Sequence, residues 1–484
     1  MFEIDNAWNI QHAVNSGEVS AVEVAETALK RIEAVDPLLQ SFLTVEPERV
    51  ISRAREVDAR VRAGETLPLA GAPVAIKDNI STLHLKTTCG SRILADFIPP
   101  YNATAVEKLE RAGAVIVGKT NCDEFGMGSS TENSAYKVTK NPYDLSRVAG
   151  GSSGGSAVAV AAGMAPLALG TETGGSVRQP ASFCNCLGMK PTYGRISRYG
   201  LVAFASSLDC IAPFASNPRD MALILSVISG RDEMDSTSSP IQVPDYAEAL
   251  SRPINGLRIG IPKEYFGAGL DAAVKSIIEQ ALRNAEALGA KLEEVSLPHT
   301  EYAIADYYII APAEASSNLA RYDAVRYGYR APGLEDLQDM YLQSRSGGFG
   351  PEVKRRIMIG AYALSSGYYE AYYGRAMRVR TLIKRDFDNA FASVDALLAP
   401  VSPTPAFKLG ERMTDPLSMY LSDIYTVTAN LAGIPALSIP CGFTPDGLPV
   451  GLQILANQFR ETTILNFAEA YAGAYPMHAP KMKI

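Results

Sequence analysis

The chain has 484 residues, 47% of them hydrophobic and 20% charged, enough to bury a large core in one domain or in two to three smaller ones. Its 45 basic and 52 acidic residues leave a net charge of −7 with no basic block, which disfavours a surface that grips nucleic acid by itself. The acidic start MFEIDNAW lacks the parts of a secretory signal, and the longest apolar tract, near 156–170, is broken by Gly163 and Pro166. A cytoplasmic protein without membrane contact is therefore expected. The six cysteines, at 89, 122, 184, 186, 210 and 441, form no CxxC pair, so reduced, mostly buried thiols are expected.

Ser20-Ala-Val-Glu23 is a capping-box pattern, and VEVAETALKRIEAV continues at helical spacing until Asp36-Pro37 stops it. A second helix pattern covers about 46–63 and ends at Gly64. Strands and helices then alternate: GAPVAIKDN is a strand ending in a lysine, ATAVEKLERAG a helix, AVIVG a strand, GSAVAVAAG a helix and PLALGTE a strand. This alternation predicts an α/β fold, a sheet with helices on both faces. Residues 230–256 are polar and read as a surface connection. GLRIGIP, a helix over about 270–288 and KLEEVSLP form a strand–helix–strand unit. VDALLAP and PALSIPCGF read as strands, and the turn Pro445-Asp446-Gly447 leads into PVGLQILA as a hairpin. No repeat appears, and one large α/β domain over 1–484 is expected.

Two motifs mislead. Gly113-Ala-Val-Ile-Val-Gly118-Lys119-Thr120 fits the phosphate-loop pattern, but its middle residues are strand formers. Gly113 reads instead as a helix C-cap and Gly118 as a strand end. Gly150-Gly151-Ser152-Ser153-Gly154 fits the nucleophile elbow of α/β-hydrolases, yet a polar loop precedes it rather than a strand. No histidine lies between His84 and His299, and His299 and His478 sit in proline-flanked segments.

A serine nucleophile here needs another base. From Ser152 a helix of about ten residues climbs ~15 Å, and the following strand returns a similar length. That brings Thr173-Gly174-Gly175-Ser176 back beside Ser152, with consecutive glycines whose N–H groups can converge as an oxyanion hole. Lys77 ends an apolar strand that would deliver its amine into a partly desolvated site, where burial favours the neutral form.

The stretches GGSSGGSAVAVAAG and LGTETGGSVRQPASFCNCLGMKPTYG, with GAPVAIKDNIS, resemble the amidase signature family over nearly the whole chain. The resemblance implies a large mixed sheet covered by helices, with N-terminal helices over 1–65, a signature core over 66–230 and a C-terminal half over 231–484. It implies a Ser–Ser–Lys triad: Ser176 as acyl nucleophile, Ser152 as bridging serine after a cis peptide from Gly151, and Lys77 as base. The amides of Thr173, Gly174 and Gly175 would form the oxyanion hole. This chain departs from the family pattern at Glu172, where Asp is usual, at Asn185-Cys186 and at Cys210; Glu172 lengthens a supporting carboxylate by one methylene, and the sequence leaves open whether that loosens the serine loop.

The stretches YYIIAPAEASSNLARYDAVRYGYR, FGPEVKRRIMIGAYALSSGYYEAYYGRA and DPLSMYLSDIYTVTANLAGIPALSIP resemble the branch of this family that hydrolyses glutamine within tRNA-dependent amidotransferases. For a member of that branch, the resemblance implies a heterotrimer with B and C subunits. Ammonia passes to the B subunit, where ATP, Mg and misacylated tRNA act, and this chain itself holds no cofactor. By motif position Arg356 grips the glutamine carboxylate, Asp423 the ammonium, Tyr307 contacts the substrate, and Gly128 and Ser129 line the pocket. A stand-alone amidase and a catalytically silent structural chain remain as alternatives. Tyrosines 368, 369, 372 and 373 read as helix packing or interface.

Overall fold

The computed structural model of the chain describes residues 6–267, 269–476 and 479–483; His478 lies outside them. Eleven strands form one mixed sheet: β1 (Phe42–Thr44), β2 (Pro73–Lys77), β3 (Val115–Thr120), β4 (Leu167–Glu172), β5 (Leu187–Lys190), β6 (Cys210–Ala215), β7 (Arg258–Pro262), β8 (Lys291–Val295), β9 (Ala396–Pro400), β10 (Ala436–Phe443) and β11 (Pro449–Ala456). Their order is β1-β3-β2-β4-β6-β5-β10-β11-β9-β7-β8. The pairs β2–β3 and β2–β4 are parallel, so three chain segments end at one edge.

Strands β2, β3 and β4 are buried at every residue, which is why they read as unbroken apolar runs instead of alternating ones. The outermost strand β8 is mostly exposed, and Lys291, Glu293 and Glu294 guard that edge with charge. One apolar layer packs the N-terminal helices against the sheet. A second layer gathers Tyr307, Ile310, Phe387 and Leu431 with the helices Ala303–Asn318 and Tyr373–Ala390.

Several expectations shift. Pro37 does not stop its helix, which runs Ala21–Leu39 and ends on Gln40 at φ 59°. The proline falls in the last turn, and the Asp36 carboxylate accepts the N–H groups of Ser41 and Phe42 beyond it. Gly118 lies inside β3, not at its end, and a Cβ there would sit 2.5 Å from the Thr44 carbonyl oxygen of the bulged strand β1. The segment 230–256 is not purely a surface link, since it contains the helix Tyr246–Ala249 and buries Tyr246. Strands β1, β5 and β6 have no clear pattern in the sequence: β1 and β5 have three and four residues, and Pro213 disguises β6. β6 tolerates that proline because its pairing with β5 extends only to Phe214.

The helix Gly154–Ala161 packs its Gly155 against the end of β3, where a Cβ would lie 2.5–2.6 Å from Asn121 and Ser41 backbone atoms. Gly155→Ala is predicted to lower stability by about 1–3 kcal/mol, read as a shifted denaturant midpoint. An unchanged midpoint would show that this contact yields.

Candidate active site

The C-terminal ends of β2, β3 and β4 share one edge, where open α/β sheets place their ligands. Lys77 closes β2 and is fully buried. Its Nζ lies 2.7 Å from Ser152 Oγ and 2.9 Å from Ser153 Oγ. Ser153 donates its own proton to the Thr171 carbonyl at 3.1 Å, so toward Lys77 it can only accept. With the amine neutral, its lone pair is left for the Ser152 hydroxyl proton. Burial lowers the Lys77 pKa to about 8, against the opposing influence of Cys122 and Asp123 nearby. The Gly151–Ser152 peptide is cis.

Ser176 stands beside this pair, with the Ser153 N–H donating to its carbonyl at 3.1 Å. Ser176 is 8% exposed, and among the described residues no protein group hydrogen-bonds its hydroxyl. The loop before it is pinned. Thr426 Oγ1 donates to the Gly174 carbonyl at 2.7 Å, which turns the N–H of Gly175, across the same trans peptide, to the opposite side. The N–H groups of Gly174, Gly175 and Ser176 meet no protein acceptor among the described residues. Both glycines are required by close approach: a Cβ on Gly174 would lie 2.7 Å from the Tyr307 ring, and one on Gly175, at φ 141°, 2.2 Å from Thr426 Oγ1. Thr173 Oγ1 and the Tyr307 hydroxyl are 3.1 Å apart.

Glu172 braces the serine loop. Its Oε2 accepts the N–H groups of Val177 and Arg178 at 3.0 Å, and its Oε1 binds the Arg178 guanidinium, at 2.7 Å from Nε. The extra methylene lets one carboxylate hold both the first turn after Ser176 and a buried arginine. Asn185 takes the left-handed C-cap of the helix Arg178–Cys184, a conformation asparagine tolerates, and donates to the Tyr143 hydroxyl. Cys210 is buried in β6 opposite Glu172.

A cleft of about 550 Å³ has Gly128, Arg356 and Tyr420 in its wall, and Ser176, Ser152 and Lys77 are not among the residues that line it. Ser129 donates to Asp423 Oδ2 at 2.5 Å, while the buried Oδ1 of Asp423 has no partner. Burial pushes the Asp423 pKa up to about 7, against the Ser129 hydrogen bond and the Arg356 charge. Arg356 is buried with its guanidinium over the rings of Tyr308 and Tyr420. Its Nε donates to Glu352 Oε1 at 2.8 Å, and its two terminal nitrogens have no protein acceptor among the described residues. That fork suits a carboxylate.

Sequence reasoning missed the residues that hold this arrangement. Asp123 donates its N–H to the Ser152 carbonyl at 3.2 Å and accepts from the N–H groups of Ser130, Thr131 and Asn133. Gln179 accepts from the Gly151 N–H and donates to the Ser129 carbonyl, joining the two loops. Gln179 and Arg178 stand within the glycine-serine stretch and were open to the question of what they support; Thr426 carried no local signal. The two decoys fall on geometry. Lys119 lies within β3, buried, with its amine donating to the Ile80 carbonyl and the Thr87 hydroxyl. His299 pairs with Asp386, and no histidine among the described residues touches either serine. Among the described residues no group of three or more histidine, cysteine, aspartate or glutamate side chains is placed to hold a metal ion. Tyr362, Tyr368 and Tyr372 form an exposed ring cluster in which only Tyr362 lies within a helix.

The profile of the Amidase family matches residues 23–465. The glutamyl-tRNA(Gln) amidotransferase A subunit of Carboxydothermus hydrogenoformans is 59% identical over 481 residues, covering 99% of both chains. The crystal structure of the protein of the same name from Thermotoga maritima superimposes with a TM-score of 0.80 at 44% identity, covering 96% of this chain and 93% of that one. A 6-aminohexanoate cyclic dimer hydrolase shares the fold at a TM-score of 0.86 but only 26% identity, over 100% of this chain and 99% of that one. The fold alone thus does not separate amide substrates.

Thr426→Val keeps the shape that packs on Gly175 but frees the Gly174 carbonyl. It is predicted to lower amide turnover about ten-fold, on the order of 1–2 kcal/mol, with little change in substrate affinity. Equal turnover in the variant would mean the serine loop holds its form without this bond.

Proposed function

The chain belongs to the amidase family, and from that premise we propose that it is the glutamine-hydrolysing component of a tRNA-dependent amidotransferase. The observation that carries this reading is the 59% identity to the Carboxydothermus hydrogenoformans amidotransferase chain over 99% of both sequences. The Arg356 fork and the unpartnered Asp423 oxygen add chemical sense, since an α-amino acid offers one carboxylate and one ammonium.

Neutral Lys77 takes the Ser152 proton while Ser152 takes that of Ser176, whose Oγ attacks the side-chain amide carbon of glutamine. The N–H groups of Thr173, Gly174 and Gly175 stabilise the oxyanion. Collapse expels ammonia, which receives its proton back through the same relay. Water then hydrolyses the γ-glutamyl ester to glutamate and frees Ser176. Arg356 binds the α-carboxylate and Asp423 the α-ammonium, with Tyr307, Gly128 and Ser129 as walls. Ammonia passes to a B subunit that uses ATP and Mg to amidate Glu-tRNA(Gln) or Asp-tRNA(Asn), and a C subunit completes a cytoplasmic heterotrimer. Misacylated tRNA is held mainly by the B subunit.

Ammonia release from glutamine is predicted to be low for the chain alone and to rise with B and C subunits, ATP and misacylated tRNA. Full-rate release by the chain alone, or preference for another amide, would point to a free-standing amidase. A γ-carbonyl glutamine electrophile should add one adduct to the intact mass, lost in Ser176→Ala; an adduct on Ser152 would overturn the triad, and none at all would favour a silent structural chain.

The active form has a neutral Lys77 and an ionised Asp423, so acid harms both. The kcat should fall as pH drops through about 8, and kcat/KM should fall more steeply below about 7, where the Asp423 carboxylate takes a proton. Lys77→Ala should cut turnover by roughly 10²–10⁴-fold with glutamine binding nearly intact. Loss of binding in that variant would recast Lys77 as a substrate clamp.

A further inference from the structure

Glu124 touches neither Lys77 nor the two serines. It is 2% exposed at the cleft wall, and both its oxygens are used. Oε1 accepts from the Ser91 hydroxyl at 2.5 Å, and Oε2 accepts the N–H of Gly350 at 2.8 Å. Gly350 is the N-cap of the helix Pro351–Leu364, and having no side chain it cannot cap that helix itself. A carboxylate from a distant segment instead accepts the N-cap's own N–H, the bond an N3 glutamate makes in a capping box, at the helix end where the dipole favours negative charge. The approach depends on glycine: a Cβ at 350 would fall 2.4 Å from Glu124 Oε2.

The same helix carries Arg356 six residues on, ~9 Å along its axis, together with Glu352, which holds the Arg356 Nε. The residue before Glu124 is Asp123, whose backbone and carboxylate fix the Ser152 carbonyl and the loop 130–133. Two consecutive carboxylates therefore bind different parts of the site, Asp123 the loop 130–133 and Glu124 the start of the helix that carries Arg356.

We propose that Glu124 is a positioning residue that sets where Arg356 meets the α-carboxylate of the amide donor, by tying the start of the Pro351–Leu364 helix to the segment that braces Ser152. This rests on the reading of Arg356 as the carboxylate grip. The relative placement of nucleophile and grip then depends on one hydrogen-bonded carboxylate, not on packing alone. A glutamine side chain at 124 can still accept from Gly350 and reach Ser91, so geometry, not charge, is what the position supplies.

The test is steady-state hydrolysis by the assembled amidotransferase of glutamine and of 4-aminobutyramide, which is glutamine without its α-carboxylate. Glu124→Ala and Gly350→Ala should each raise KM for glutamine about ten-fold with kcat within about two-fold. Neither should change kcat/KM for 4-aminobutyramide by more than about two-fold, and Glu124→Gln should restore KM to within about three-fold. In an Arg356→Ala background, itself raised in KM, Glu124→Ala should add less than about two-fold. Gly350→Ala adds a single methyl, so it carries the test if Glu124→Ala does not fold.

A loss of kcat shared by both substrates, or effects of Glu124 and Arg356 that simply multiply, would overturn the proposal. An Arg356 effect without any Glu124 or Gly350 effect would overturn it alone. An unchanged KM in Arg356→Ala would instead overturn the pocket reading, and this inference with it.

Discussion

The site depends on a lysine amine with no access to water. Lys77 is delivered by a strand buried along its whole length, and its amine is held by two serine hydroxyls. Removing the amine from water is costly to the charged form, which is how a residue normally protonated at neutral pH comes to have a usable lone pair. A parallel strand in mid-sheet is suited to this, because both faces are covered and only its end is open. The carboxylates whose charge acts on Lys77 are kept off its amine: Asp123 accepts the N–H groups of Thr131 and Asn133, and Asp209 that of Phe204. An ion pair at either place would hold the proton on the amine.

Around that amine, several buried side chains serve to fix backbone. Glu172, Thr426, Gln179 and Asp123 each bind main-chain groups of a loop that carries a glycine or serine of the site. Each of these four buried polar side chains near the sheet edge is bonded to a main-chain group elsewhere in the chain, whereas Asp423 Oδ1 is left without a partner among the described residues. The longest of these spans belongs to Thr426, whose contact with Gly174 bridges 252 positions.

Those spans also separate what the sequence could disclose from what it could not. Strands β2, β3 and β4 were legible because burial on both faces leaves long apolar runs, and the return path from Ser152 to Ser176 followed from helix rise and strand length alone. β5 and β6 were not legible, since four residues or an internal proline give no period to read. Lys77 could be suspected from its place at a strand end, but Arg356 and Asp423 came only from resemblance, because no spacing relates residues from separate elements to one pocket. The effect of Glu172 was not legible for a related reason. Its length was compared with aspartate, whereas its partner, Arg178, settles which length fits.

Ser153 gives the adjacent serines a meaning their spelling conceals. Its hydroxyl proton is committed to the Thr171 carbonyl, while the same oxygen receives hydrogens from Lys77 and from the Thr171 N–H. Two identical side chains in a row look like redundancy, yet one of them is wired shut. Of the two hydroxyls at the amine, only that of Ser152 keeps its proton uncommitted, and a chain that lost it would find no substitute in its neighbour.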